Sequence, residues 1–83
     1  MNIRFTNHAL EQARLRGTNT DEISIAIETG ERLPAKKGRL MSRKNFEFGK
    51  KWQGKDYQIK QVAPVFVEEN EEIVVITVYT FYF

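Results

Sequence analysis

The sequence predicts an α+β domain with two short N-terminal helices packed on one face of a three- to four-stranded, mainly antiparallel twisted sheet. Three observations predict it. Helical apolar spacing and helix punctuation fill residues 5–30. From residue 39 onward, alternation and β-branched runs replace that pattern. The chain has 83 residues, of which 41% are hydrophobic and 12% aromatic, which suffices for one core and hence a single domain over 1–83.

Phe5 to Leu15 reads as the first helix. Thr6 or Asn7 can cap it by accepting hydrogen bonds from the first free backbone N–H groups. Phe5, Ala9 and Ala13 recur every fourth residue and line one stripe. Arg14 and Arg16 followed by Gly17 fit a helix C-terminus. The second helix runs from Asp21 to Thr29, with Thr20 as cap, acidic Asp21 and Glu22 at the positive end, and Ile23, Ala26 and Ile27 as its apolar face. Gly30 closes it.

Arg39–Met41 and Asn45–Phe48 read as short strands, with Phe46 and Phe48 on one face. Gly54 marks a turn. Tyr57, Ile59 and Gln61 alternate with Gln58, Lys60 and Val62. Pro64 cannot donate to a ladder, so it predicts an edge, a bulge or a break. Glu68 to Glu71 is a turn. Ile73 to Phe83 is almost wholly β-branched or aromatic, which predicts a central strand or an oligomer contact at its end. Residues 56–80 thus read as a hairpin.

Charge is distributed unevenly. Residues 1–31 hold three Arg and five acids, net −2; residues 32–60 hold ten Lys or Arg against Glu47 and Asp56, net +8; residues 61–83 hold four Glu, net −4. The basic block points to a polyanionic partner, most simply nucleic acid, with RNA or another polyanion as the expected partner. The plainer alternative is a solvated cationic face. Zero cysteines exclude disulfides and thiolate chemistry. No apolar run is long enough for a membrane span and no secretory pattern opens the chain, so a cytoplasmic location without membrane association is expected.

The basic block interleaves Arg39, Arg43, Lys44, Lys50, Lys51 and Lys55 with Phe46, Phe48, Trp52 and Tyr57. Single-stranded RNA is held by cations on its backbone and aromatic rings under its bases. Trp52 is the candidate stacking residue, or else an anchor between sheet and helices; Phe46 and Phe48 read as core. His8, the sole histidine, sits in the first helical turn. It serves as a candidate acid/base, against the plainer role of packing or capping. Gln12 lies one turn on, and Arg16 a further turn, where it can stabilise charge on a phosphorane or simply complement the helix end. There is no P-loop, dinucleotide fingerprint, nucleophile elbow or metal-ligand spacing, so neither metal nor cofactor is expected.

Phe5-Thr6-Asn7-His8-Ala9, Gln12, Arg16-Gly17, Asp21-Glu22-Ile23, Gly30-Glu31 and Val75-Ile76-Thr77-Val78-Tyr79 together resemble the bacterial domain-of-unknown-function family 4258. The resemblance implies a fold similar to the RelE/ParE-like toxins. It also implies His8 and Arg16 as site positions, with Thr77 or Tyr79 joining them from the last strand. The chain departs from the family pattern in carrying Gln12 where a basic residue is usual, and Thr18 after Arg16-Gly17. The expected function is a metal-independent, toxin-type ribonuclease with catalytic His8, Arg16 and Tyr79. The alternatives are a non-catalytic nucleic-acid-binding module and a protein-interaction domain. An antitoxin-like partner and a homodimer through the aromatic end Tyr79–Phe83 are the further partners expected.

Overall fold

The structure is a computed structural model and describes residues 2–83. Its elements in chain order are β1 (Asn2–Phe5), α1 (Asn7–Arg16), α2 (Thr20–Thr29), β2 (Glu31–Pro34), a 3₁₀ turn (Lys36–Gly38), β3 (Leu40–Trp52), β4 (Lys55–Glu69) and β5 (Glu72–Tyr82). The sheet order is β1-β5-β4-β3-β2. β1 runs parallel to β5, and every other neighbouring pair is antiparallel.

The α+β class and the two helices agree with the sequence reading. The sheet does not: it has five strands and is mixed. The missed strands are short and flank the helices. Phe5 was expected to begin the first helix, but Thr6 is extended at φ −70° and ψ 159°, so Phe5 ends β1 opposite Val75. Ala9 and Ala13 remain the buried stripe of α1, and Phe5 reaches the same core from the sheet. The second cap also shifts. Asn19, rather than Thr20, accepts from the Glu22 N–H at 2.9 Å, and Thr20 is the first helical residue.

Both helices lie on one face of the sheet. Ala9, Ala13, Ile23, Ala26 and Ile27 pack on Val62, Phe66, Ile73, Val75 and Val78. Gly17 ends α1 with φ +79°, and a Cβ there would meet the Tyr82 hydroxyl at 2.5 Å and the Trp52 ring at 2.7 Å. Positive φ and close approach each favour glycine at this position. Lys60 projects to the same side, buried between a 2.7 Å ion pair with Glu22 and a 2.9 Å hydrogen bond to the Gly17 carbonyl.

The expected hairpin of residues 56–80 is present within β4 and β5, closed by Asn70 and Glu71, both at positive φ. Gln53 and Gly54 close β3 to β4 in the same way. Two central residues with positive φ are the type I′ geometry that matches strand twist. Pro64 is fully buried in a central strand, not at an edge. The β3–β4 pairing jumps from Met41↔Val65 to Lys44↔Val62, so the ladder opens where Pro64 has no N–H to give. Ser42 lies across that gap, its Oγ buried without a hydrogen-bond partner. A bulge follows between Val65 and Phe66, leaving Ile76 as an extra residue on β5. The Thr6 hydroxyl donates to the Ile76 carbonyl at 3.1 Å while accepting from the Ala9 N–H at 3.0 Å, which ties the start of α1 to the bulge. Among the described residues, no helix is long and apolar enough to cross a membrane.

Candidate nucleic-acid interface

The helices leave the opposite face of the sheet open. Lys37 and Gly38 are both left-handed, at φ 62° and 72°, and turn the β2–β3 connection back on itself. The Ala35 N–H donates to the Arg39 carbonyl at 2.8 Å, and the Arg39 N–H to the Lys36 carbonyl at 3.3 Å. The loop so closed forms one wall of a cavity of about 440 Å³. Lys36, Lys37 and Arg39 line that wall; Met41 and Val65, paired across β3 and β4, contribute apolar surface; Thr77 and Tyr79 of β5 complete the lining. No carboxylate belongs to the lining, and among the described residues none of the three cations is in an ion pair.

A fourth cation joins from the helix layer. β1 stops opposite Val75, so the outer edge of β5 beyond it is met by the C-terminal end of α1. The Arg16 carbonyl accepts from the Thr80 hydroxyl at 2.8 Å and from the Tyr82 hydroxyl at 2.7 Å. Arg16 Nη1 donates to the Val78 carbonyl at 2.8 Å. Its guanidinium carbon then sits 4.8 Å from the centroid of the Tyr79 ring. The side chain thus bridges a helix end and an aromatic ring at the cavity, with one N–H anchored and the rest of its planar fork held in place.

The structure distributes the sequence candidates other than His8 over three places. Arg16, Arg39 and Tyr79 meet at or beside the cavity. Arg43 and Lys44 lie at a shallower depression with Thr29, Glu31 and Gln61, and Arg43 is paired to Glu31 at 2.5 Å. Lys50, Lys51, Trp52 and Lys55 cluster at the β3–β4 tip. Along β3, Arg39 and Lys51 are separated by roughly 40 Å of strand at about 3.3 Å per residue, so the basic block forms separate patches rather than one strip. At the tip, Lys51 pairs with Asp56 at 3.3 Å. Lys50 and Lys55 lie over the Phe48 and Tyr57 rings. Trp52 stacks on Tyr82 at 5.0 Å with 15° between ring planes, which gives it the anchoring role.

His8 is exposed in the first turn of α1. Eight residues separate it from Arg16, about 12 Å along the helix axis, so the two do not form a compact pair. Lys36 and Lys37 were not singled out from the sequence. Their signal was the Pro34-Ala35-Lys36-Lys37-Gly38-Arg39 run, a cationic loop framed by turn formers.

The chain matches the family described as Domain of unknown function (DUF4258) over residues 5–80. It belongs to that family, and the match includes Arg16, the β2–β3 loop and Tyr79. No curated protein and no solved structure matches the chain.

Proposed function

We propose that the protein is an RNA-binding, ribonuclease-like member of its family, of the toxin type, with its site on the open face of the sheet. The observation that carries this reading is the convergence of Lys36, Lys37 and Arg39 on a cavity that Tyr79 lines, with Arg16 stacked on Tyr79. Cations with no carboxylate partner attract a phosphate group. In the proposed reaction the RNA 2′-oxygen attacks the adjacent phosphorus and the bond to the 5′-oxygen breaks. The Tyr79 hydroxyl gives its own proton to the leaving 5′-oxygen as the 2′ proton takes its place, so that the phenol ends as it began. The Arg16 guanidinium offsets the charge that builds on the phosphorane oxygens. This chemistry asks for no metal.

The separation of His8 from Arg16 favours a second reading, a binding module without catalysis. Incubation with single-stranded RNA in EDTA separates the two. The ribonuclease reading expects cleavage that survives chelation, falls about 100-fold or more in Arg16→Ala and Tyr79→Phe, and persists in His8→Ala. Binding without cleavage by the parent protein overturns the catalytic reading and leaves the module.

A further inference from the structure

The open face carries a second feature, which shares Tyr79 with the cavity and extends beyond it. Tyr79, Phe81 and Phe83 are 40%, 51% and 57% exposed. They alternate along one strand end, and the register sets them beside Ala63, Gln61 and Ile59 of β4. Side chains two residues apart on a strand share a face, so the three rings form a row that begins at the cationic cavity. The last ring is not on a frayed end. Phe83 N–H donates to the Ile59 carbonyl at 3.1 Å, and the Phe83 carbonyl accepts from the Ile59 and Gln58 N–H groups at 2.8 and 3.1 Å. Aromatic surface aligned in this way marks a contact surface.

The chemistry beside the row identifies the occupant. One end is cationic: Lys36, Lys37, Arg39 and Arg16. Along the flank, Gln61 Nε2 donates to Asn45 Oδ1 at 2.9 Å, which holds both amides in place and leaves the Gln61 oxygen and the Asn45 N–H groups for other partners. Rings, amides and cations together are the groups that bind the π-faces, edges and phosphates of nucleotides. Successive rings on alternate strand positions are about 6.6–6.8 Å apart. That is twice the ~3.4 Å between nucleotides along one strand of a stacked duplex. Bases must therefore be unstacked to use the row, and a duplex presents no ring faces to it.

We propose that Tyr79, Phe81 and Phe83 form a base-stacking platform for unpaired RNA, which starts at the phosphate seated in the cavity and continues over Phe81 and Phe83. The platform rests on the reading of the cavity as a phosphate site, and it adds the substrate class: single-stranded RNA rather than duplex.

The test measures binding of a labelled single-stranded RNA 12-mer, a duplex RNA of equal length and heparin, a polyanion without bases. Phe81→Ala and Phe83→Ala each weaken single-strand binding about tenfold and leave heparin binding unchanged. A Lys36→Glu/Lys37→Glu double variant weakens binding to the single strand and to heparin. Both rings are exposed, and unchanged circular dichroism establishes that the fold persists. If the ring variants bind single strands like the parent while the charge variant fails, the platform is refuted and the cavity reading stands. If the charge variant also binds normally, or if the parent binds no single strand, both are overturned. A parent dimer that dissociates on Phe81→Ala in sedimentation, with RNA affinity unaltered, makes the row a contact between two copies and refutes the platform.

Discussion

The residue that joins the two layers most directly is Tyr82. Its ring stacks on Trp52 and meets Phe48 edge-on at 5.2 Å, while its hydroxyl donates to the Arg16 carbonyl. Burial raises its phenol above the ordinary value near 10; a Thr80 hydrogen bond opposes the rise and the Glu22 carboxylate adds to it. A pKa raised in the folded state means that the unfolded chain loses the proton first. The associated stability is therefore complete below about pH 10 and is lost as pH climbs through the folded value. Tyr82→Phe removes the hydrogen bond, costing about 0.5–1.5 kcal/mol at neutral pH. It also removes this residue's share of the alkaline decline. Melting curves between pH 7 and 11 check both effects: the variant starts lower and falls less steeply. The same substitution loosens the end of α1 that places Arg16, so the RNA affinity proposed above is expected to fall with it.

At the scale of elements, legibility followed how locally each element is determined. α1 and α2 carry caps, apolar spacing and closing glycines within their own residues, and both were readable. Their boundaries depended on one side chain each. Asn19 outcompeted Thr20 because its Oδ1 reaches the Glu22 N–H, three residues on. Asn19→Ala is expected to cost about 1 kcal/mol of stability and Thr20→Ala only a few tenths, a difference that paired urea denaturation curves resolve.

The strands divide by the same rule. The turns at Gln53-Gly54 and Asn70-Glu71 announce themselves through small or polar residues, and the β4–β5 hairpin followed. β1 has four residues, too few to show a period, and its partner β5 begins at Glu72. β3 reads as two fragments because Lys, Arg and Asn interrupt its hydrophobic alternation. Those residues belong to a strand whose outer edge is free beyond the short β2, where charge discourages further pairing. Pro64 pointed correctly to a disturbed ladder but not to its place in the middle of the sheet.

On the scale of the whole molecule, the charge asymmetry was visible in the sequence and its consequence was not. Of the ten basic residues in 32–60, Arg32, Arg43, Lys51 and Lys60 are spent on Glu68, Glu31, Asp56 and Glu22. The long β3–β4 hairpin, in a molecule 41 Å along its longest axis, carries Lys50, Lys51 and Lys55 to the end away from the cavity. Arg16 was named from its place on the first helix and Tyr79 through a family resemblance, and the two do come together, but their meeting with Lys36 and Lys37 depends on a loop folding over a strand some forty residues later. No local pattern encodes that contact. The same long-range arrangement sets the aromatic row of β5 against the cationic loop.

The most direct test of the proposed RNA seating at the open face is a titration of ¹⁵N-labelled protein with a single-stranded RNA 12-mer followed by NMR. Amide signals of Lys36 to Arg39 and of Thr77 to Phe83 are predicted to shift, while those of the Lys50–Lys55 tip and of the exposed side of α2 stay in place. Shifts confined to the tip, or no shift at RNA concentrations well above the protein's, would contradict the account.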